Sequence, residues 1–430
     1  MTTLNRLWTF TAALAGAGAL ISFAAAGLSR EDEVLLEDVS HRSFQFFWEQ
    51  SDPNTGITRD RTRLDGRLAE TRADVGSTGA TGFGLTALCI GAERKWIPRE
   101  QARERARATL KFYADRAKDE HGWFYHFIDV KTGERSGNSE VSVSDTTWLY
   151  AGALTARQYF SEDPEIARLA MKIYSRVDYD WIRNGHPYLM SHGWRPESGF
   201  IVHRYEKYCQ LALMYLLGIG SPGRPLPAEA WYAWERNPNS YGDYKYIGES
   251  LLWTYQYPFA WADFRDRRES REPHADWWGN AITATRAHRQ FCIDLKKEFP
   301  GYSENIWGIT SSDSAKGYKS WGGPPRRPSI DGSVVPCGAA GSLMLTSDIA
   351  LAALKAMKQQ YGDKIYGRYG FTDAFNPNNG WVSHHVIGID VGITLLSAEN
   401  LRSGFVWRWF MKNPEVQKAM DLAGLKKTGK

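Results

Sequence analysis

The stretch that decides the fold is Gly79-Ala-Thr-Gly-Phe-Gly-Leu-Thr-Ala-Leu-Cys-Ile90, which has apolar or small residues on every side of a helix. Three further stretches have the same character, residues 147–159, 208–217 and 343–357. A helix that lacks a polar face must be enclosed by other helices. The pattern therefore predicts an all-α protein whose core is a set of enclosed helices.

Amphipathic stretches lie between the enclosed ones. From Ala102 to Ala117, apolar residues recur every three or four positions, and charged residues occupy the other face. Asp163 and Pro164 supply the cap and the first residue of another such helix. The chain contains about eleven or twelve helical stretches, one for roughly every 30–35 residues, so its connecting loops are longer than in simple bundles. We predict antiparallel helix pairs closed into a ring, with the functional loops gathered at one end.

The composition excludes several classes of protein. The chain has 430 residues, of which 24% are charged, and its net charge of +4 comes from well-mixed acids and bases. Such a chain folds, and so mild a charge does not indicate a nucleic-acid partner. Its four cysteines lie far apart, without a CxxC pair or a histidine at ligand spacing. We therefore expect no metal site and no cofactor, and the sequence does not name a disulfide pair.

Residues 1–26 differ from the rest of the chain. Arg6 precedes an apolar run that ends at Ala24-Ala-Ala26, where small residues occupy the positions that a signal peptidase requires. We predict an export signal cleaved near Ala26, and a periplasmic or secreted protein. An uncleaved membrane anchor is the alternative. Residues 27–430 are expected to form a single domain, monomeric and without stable membrane insertion, because no second apolar run is long enough to span a bilayer.

The residues available for chemistry indicate carbohydrate. The chain has no GxSxG, no P-loop, no HExxH and no dinucleotide-binding glycine motif. Its loops instead combine carboxylates with aromatic residues and glycines. Aromatic rings stack on the C–H faces of sugars, and carboxylates bind sugar hydroxyls. Cleavage of a glycosidic bond needs one carboxylic acid to protonate the leaving oxygen and a second carboxylate to activate water or to attack.

Five residues are the main candidates for this chemistry. Glu140 lies ahead of an apolar helix, and Asp145 lies at its start, where helix capping is the alternative role. Glu206 and Gln210 are four residues apart and are expected on one face of the helix that continues to residue 217. Asp390, between apolar residues and glycines, precedes a buried helix; capping competes there with a general base whose pKa burial raises.

The 18 tryptophans divide into two groups by their surroundings. Trp48, Trp148 and Trp253 lie on apolar helical stretches, where core packing is expected. The others considered lie in glycine-rich loops beside carboxylates and are predicted to stack on sugar rings: Trp123, Trp194, Trp307, Trp321 and Trp381.

The motifs together resemble the glycoamylase-like domain family, which includes glycoside hydrolase family 144. The resemblance extends from about residue 34 to residue 424. It rests on Ser43-Phe-Gln-Phe-Phe-Trp48, Glu140-x-Ser-x-x-Asp145-Thr, His192-Gly-Trp-Arg-Pro-Glu-Ser-Gly199, Gly220-Ser-Pro222, Ala260-Trp-Ala-Asp-Phe-Arg265, Trp307-Gly-Ile-Thr310, Asp313, Gly317-Tyr318, Asp331-Gly332, Gly370-Phe-Thr-Asp-Ala-Phe-Asn376, Gly388-Ile-Asp390 and Glu399-Asn-x-Arg-Ser-Gly404.

This resemblance implies an (α/α)6 toroid that hydrolyses β-1,2-glucan with inversion of configuration at the concave end. Asp390 matches the aspartate of the family's G-I-D-Q-G motif, the general base. Gln210 occupies the position of the family's acid, a glutamate, and a carboxamide cannot donate that proton. The substrate-binding set is expected to include Gln210, Asp145, Asp313, Asp331 and Glu399, together with the loop tryptophans.

Three explanations of Gln210 remain open at this point. Glu206 supplies the acid, or Glu140 supplies it while Gln210 orients the substrate, or the protein binds glucan without cleaving it. Hydrolysis with Glu206 or Glu140 as the acid requires that glutamate to share a cavity with Asp390. A same-fold enzyme with another linkage preference, or a transglycosylase, is a further alternative. The sequence does not decide linkage, or endo against exo action.

Overall fold

The computed structural model describes residues 27–428, so the predicted export signal lies outside the described residues. Within residues 27–428, fourteen α-helices are present. They are α1 (Arg30–Gln50), α2 (Thr78–Glu93), α3 (Arg99–Asp115), α4 (Val143–Tyr159), α5 (Pro164–Ser175), α6 (Tyr179–Arg183), α7 (Leu211–Gly220), α8 (Tyr257–Trp261), α9 (Trp277–Asp294), α10 (Pro336–Ala340), α11 (Ser347–Tyr361), α12 (Gly388–Ser403), α13 (Phe405–Phe410) and α14 (Pro414–Leu422).

Six helices form an inner ring: α2, α4, α7, α8, α10 and α12. Nearly all of their residues are buried, as expected for helices that other helices enclose. Around the ring, α12 contacts α2, α2 contacts α4, α4 contacts α7, and α7 contacts α8. Both α8 and α10 then contact α12, which closes the ring.

Amphipathic helices surround this inner ring. The helices α1, α3, α5 and α11 each pack one face against an inner helix, and α9 packs against the turn Leu252–Tyr255 that leads into α8. Near the end of the chain, α14 takes the outer position beside α7. The prediction of an enclosed helix over residues 343–357 is wrong. That region forms α11, which buries only one face, while the short helix α10 before it occupies the inner position.

Short polar side chains cap two of the inner helices, α2 and α4. Ser77 caps α2, and Ser142 caps α4 by accepting a hydrogen bond from the backbone N–H of Asp145. The capping role considered for Asp145 is therefore wrong, because Asp145 is the third residue of α4. The prediction that Asp163 caps a helix with Pro164 as its first residue is confirmed by α5.

Two glycines allow α2 and α4 to cross at very short range. A Cβ atom added to Gly82 would lie 2.1 Å from the carbonyl oxygen of Trp148, and one added to Gly152 would lie 2.0 Å from the carbonyl oxygen of Gly82. Both clashes are with backbone atoms, which no change of rotamer relieves. The closest contact in the inner ring therefore depends on the absence of two side chains.

We expect Gly152→Ala to destabilise the protein by about 1–3 kcal/mol or more, because the new methyl group forces two core helices apart. Denaturant unfolding followed by circular dichroism measures this loss. Gly27→Ala is the control, since a Cβ there meets no atom within 4 Å. Equal stability of the two variants would contradict the close packing of α2 on α4.

The loops contain seventeen short strands within the described residues. They are β1 (Arg61–Arg63), β2 (Val75–Ser77), β3 (Asp119–Glu120), β4 (Trp123–Phe124), β5 (Phe127–Asp129), β6 (Val141–Ser142), β7 (Gly193–Arg195), β8 (Gly199–Phe200), β9 (Pro238–Tyr241), β10 (Tyr244–Ile247), β11 (Arg267–Glu269), β12 (Tyr366–Gly367), β13 (Gly370–Phe371), β14 (Phe375–Asn376), β15 (Trp381–Val382), β16 (His385–Ile387) and β17 (Leu425–Lys427).

Three strands run directly into inner helices. The strand β2 leads into α2, β6 into α4 and β16 into α12. Each is held by an antiparallel neighbour, β5, β7 and β1 respectively. The first turns of these inner helices are therefore placed by strand pairing as well as by helix packing.

Disulfide bonds do not contribute to the fold of the described residues. All four cysteines are free thiols, and Cys89, Cys292 and Cys337 are buried. Among residues 27–428, no helix has both the length and the apolar character needed to cross a membrane.

Candidate active site

A cavity of about 450 Å³ lies where the N-terminal ends of inner helices meet. Three of its lining residues lie at helix starts: Asp145 in the first turn of α4, Asp390 in the first turn of α12, and Gln210 directly before α7. Asp145 and Asp390 are each the third residue of their helix, where the helix dipole favours a carboxylate. The other lining residues are Asp60, Arg61, Arg72, His126, Phe127, Ser144, Trp148, Trp253, Tyr257, Thr310, Ser311, Tyr318, Ile387 and Ile389.

Asp390 is a buried carboxyl group with a perturbed acidity. The Tyr257 hydroxyl donates a hydrogen bond to Asp390 Oδ1 at 3.2 Å. Burial raises the pKa of Asp390 to about 6, although hydrogen bonds from Asp373, Cys337 and Tyr257 oppose the rise. Burial and the charge of Asp390 raise the pKa of Asp373 well above its usual range. Asp390 thus ionises near neutrality beside a second buried carboxyl group, Asp373, whose pKa is also raised.

The position of Asp373 is fixed by its neighbour Asp313. The backbone N–H of Asp313 donates to Asp373 Oδ2 at 2.7 Å, while the Asp313 carboxylate accepts from Arg61 at 3.0 and 3.2 Å. Arg61 also donates to Asp60 at 3.1 Å. It belongs to β1, which pairs with β16 ahead of α12. Asp313, expected to bind substrate, therefore acts first as the ion-pair partner that holds Arg61 at the cavity.

A second group of ionisable side chains is centred on His126. Its Nε2 lies 3.6 Å from Asp145 Oδ1, and its Nδ1 lies 3.1 Å from Glu140 Oε1. Burial lowers the pKa of His126, but the charges of Asp145 and Glu140 outweigh burial and raise it to about 9. Burial raises the pKa of Glu140, yet the bond and charge of His126 bring it down to about 2. His126 is therefore a cation between two carboxyl groups.

Neither glutamate predicted as the acid lines this cavity, so the condition that the sequence set for hydrolysis is not met, and cleavage would need another proton donor. Glu206 is exposed and lies outside any helix, because α7 begins only at Leu211, so the expected shared helix face with Gln210 is wrong. Glu140 lies behind His126, where Arg195 also contacts it at 3.4 Å. Gln210 lines the cavity, and its carboxamide does not cap α7.

The tryptophans contradict the predicted division. Trp123, Trp307 and Trp321 are fully buried, and the indoles of Trp123 and Trp321 donate to Asp178 and Ser312. Trp194 lies on β7 and packs against Trp181, with ring centroids 5.8 Å apart. These four are packing residues. Trp148 is buried in the core, as expected, and also lines the cavity, whereas Trp253, likewise expected to be core, is half-buried at the cavity.

Trp381 lines a second, larger cavity of about 850 Å³. Arg61, Arg72 and Tyr318 line both cavities, so the two are adjacent. The larger one is also lined by Asp313 and by residues of β15 and β16. Together the two cavities form an extended cleft rather than a single small pocket.

Asp331 and Glu399, predicted to bind substrate, line neither cavity. Asp331 accepts a hydrogen bond from the backbone N–H of Ser333 at 2.9 Å and so stabilises its own turn. Glu399 is buried at the far part of α12 in ion pairs with Arg94 and Arg402. Both predictions are corrected, because these carboxylates have structural partners instead.

Sequence reasoning did not assign a role to His126, Tyr257, Asp373 or Asp60. His126 lies in an alternating run of aromatic residues at 122–127, which is the only signal that could have drawn attention to it. Asp373 and Tyr257 are 17 and 133 residues from Asp390, and nothing in the sequence joins them to it.

Part of the chain matches a known family, and most of it aligns with a characterised relative. Residues 202–414 match a family model described as "Putative glucoamylase". The chain is 28% identical over 429 residues to an exo β-1,2-glucooligosaccharide sophorohydrolase of Parabacteroides distasonis, covering 91% of this chain and 58% of that protein. It thus spans less than two thirds of the length of this relative.

Solved structures show the same fold. An endo-β-1,2-glucanase from Chitinophaga pinensis, in complex with sophorotriose and glucose, superposes with a TM-score of 0.85 at 27% identity, over 93% of this chain and 99% of that one. A β-1,2-glucanase from Parabacteroides distasonis gives 0.83 at 27% identity, over 91% and 60% of the two chains. The predicted all-α (α/α)6 toroid, with long loops at one end, is confirmed.

Proposed function

We propose that the chain, whose residues 202–414 match the glucoamylase family model, is a glycoside hydrolase of β-1,2-glucan or its oligosaccharides. The observation that carries the proposal is Asp390, a buried carboxyl group with a pKa near 6 in a cavity lined by aromatic residues. The names of the relatives support the β-1,2 linkage. The export signal predicted at residues 1–26 adds the proposal that the protein acts outside the cytoplasmic membrane.

Asp390 has the properties of a general base in a single displacement. It accepts a proton from a water molecule, whose oxygen bonds to the anomeric carbon as the bond to the leaving oxygen breaks. The base works when ionised, and the Tyr257 hydroxyl donates a hydrogen bond that holds the carboxylate in place. Carboxylates in the cavity also stabilise the positive charge that develops on the sugar ring in the transition state.

The remaining lining residues suit a sugar chain. Trp253, which is half-buried, offers a ring face, and Gln210 offers a carboxamide for hydroxyl groups. The adjacent larger cavity, with Trp381, extends the cleft beyond a single sugar unit. These features support a substrate of several linked glucose residues.

The substrate is tested by measuring new reducing ends on β-1,2-, β-1,3-, β-1,4- and α-1,4-linked glucans. We expect release from the β-1,2-linked glucan and little from the others. Preference for another linkage would contradict the proposed substrate. Binding of β-1,2-glucan without any cleavage would favour the alternative that Gln210 raises, a glucan-binding protein that lacks catalysis.

Trp253→Ala is expected to raise KM for β-1,2-glucan about tenfold, equivalent to ~1.4 kcal/mol of lost binding, because a sugar-stacking face is removed. Steady-state kinetics measures this change. Trp48→Ala is the control, since Trp48 is also partly buried but packs on α1 and Arg105 outside both cavities. A similar KM in the two variants would exclude Trp253 as a stacking residue.

A further inference from the structure

The cavity contains a base but no assigned proton donor. Gln210 has a carboxamide, Glu206 is exposed outside the cavity, and Glu140 lies behind His126. A sugar leaving group departs poorly as an alkoxide, so its oxygen needs a proton as the glycosidic bond breaks. Apart from Asp390, the carboxyl groups that line the cavity are Asp60 and Asp145.

Asp60 is already engaged by two cations. Arg61 donates to its Oδ2 at 3.1 Å, and the Arg72 guanidinium lies 3.9 Å from the same oxygen. Asp60 therefore serves as an ion-pair partner that helps to hold Arg61 and Arg72 at the cavity.

Asp145 has a different environment. Only 7% of its surface is exposed, and the Ser142 hydroxyl donates to its Oδ2 at 2.6 Å. Its Oδ1 lies 3.6 Å from His126 Nε2. Burial raises the pKa of Asp145, and the nearby charges of Glu140 and Asp60 act in the same direction, while His126 and Ser142 oppose them. Because of its burial, Asp145 holds a proton more readily than an aspartate in water does.

The two residues behind Asp145 complete the arrangement. Glu140 accepts from His126 Nδ1 at 3.1 Å, which fixes the imidazole ring and directs its Nε2 towards Asp145. A cation next to Asp145 stabilises the carboxylate that forms when Asp145 gives up its proton. Arg195 in turn contacts Glu140. Glu140, His126 and Asp145 therefore form a series of contacts that ends at the cavity.

We propose that Asp145 is the general acid of this protein, and that His126 and Glu140 are positioning residues that act through it. This inference rests on the proposed hydrolase function. In the step, the proton of Asp145 moves to the leaving oxygen as the C1–O bond breaks, while Asp390 takes a proton from the attacking water. The enzyme loses one proton and gains one, and exchange with solvent returns both groups to their starting forms.

The test compares two leaving groups. The first substrate is β-1,2-glucan, whose leaving group is a sugar. The second is the shortest dinitrophenyl β-glycoside of a β-1,2-linked glucooligosaccharide from which the parent protein releases dinitrophenolate, which departs without protonation. Asp145→Asn is expected to lower kcat on β-1,2-glucan by about 10²–10⁴-fold and kcat on the aryl glycoside by less than about tenfold.

His126→Gln and Glu140→Gln should each lower kcat on the glucan by about tenfold, with KM unchanged and with the aryl glycoside still hydrolysed. The matched control is Asp163→Asn, which alters a buried carboxylate that caps α5 outside the cavity and keeps a good capping residue. It is expected to leave both reactions unchanged. Thermal unfolding of each variant shows whether it is folded.

Two results would overturn the inference while leaving the proposed function intact. Equal losses on both substrates in folded Asp145→Asn would make Asp145 a binding or structural residue. Undiminished glucan hydrolysis by that variant would show that the proton comes from another group. A parent protein that releases no reducing ends from any β-glucan would instead overturn the proposed function, and this inference with it.

Discussion

Asp390→Asn is expected to lower kcat on β-1,2-glucan by about 10²–10⁴-fold, because an amide cannot accept the proton of the attacking water. The same role gives the parent enzyme a pH dependence. The base works only when ionised, and burial raises the pKa of Asp390 to about 6. Activity should therefore be lost as the pH falls through about 6, and the loss on the alkaline side should follow deprotonation of the acid, Asp145. The groups that face Asp390 are Tyr257, Cys337, Asp373 and Asp313.

Steady-state kinetics between pH 4 and 8 measures both effects, and calorimetric titration with a β-1,2-linked oligosaccharide measures binding. We expect Asp390→Asn to bind the oligosaccharide about as well as the parent does, because the substitution keeps the size of the side chain. Asp331→Asn is the control, since Asp331 lies outside both cavities. An Asp390→Asn variant with more than a tenth of parental kcat would remove Asp390 from the mechanism.

Glu399→Ala is expected to destabilise the protein by about 3 kcal/mol, because it leaves buried cations without their partner. Glu399 is only 1% exposed and binds Arg94 at 2.6 Å and Arg402 at 3.0 Å. Arg402 keeps two further partners, Glu33 and Glu37, which places the effect at the lower end of the range for broken buried pairs.

Denaturant unfolding measures this loss, and activity per folded molecule should not change because Glu399 lies away from both cavities. Glu162→Ala is the control: Glu162 pairs with Arg99 on the surface, where such pairs contribute about 0–1 kcal/mol. A variant of Glu399 that keeps its stability but loses substrate affinity would restore the substrate-binding role that the sequence predicted for it.

The ring of helices could be predicted because burial on every side leaves a direct mark on composition. The stretch from Gly79 to Ile90 and residues 147–159 lie within α2 and α4, both inner helices. Residues 343–357 carry the same mark, yet α11 is an outer helix. The inner position there is taken by α10, which has only five residues and is too short for any periodicity to show.

The site could be predicted only in part. Asp390, Asp145 and Gln210 stand at the starts of inner helices, and the sequence shows both the residues and the helices. The acid could not be located, since Glu206 lies in a segment that is not helical and Glu140 is held behind His126. Which loop side chains meet depends on the pairing of strands far apart in the chain, such as β1 with β16.

The predicted division of the tryptophans into core and sugar-stacking groups is wrong for a related physical reason. Long loops in this toroid are packed between helices, so a tryptophan beside glycines and carboxylates, such as Trp307, can be completely buried. Conversely, Trp148, the sixth residue of α4, packs in the core and also lines the cavity. Local composition alone does not separate these cases.

The most direct test of single displacement by water is the anomeric form of the first product, followed by proton NMR during the hydrolysis of β-1,2-glucan. Attack of water activated by Asp390 inverts the configuration, so the newly formed reducing end should appear first as the α-anomer and only later equilibrate. Initial release of the β-anomer would show retention of configuration, and would contradict single displacement by water with Asp390 as its base.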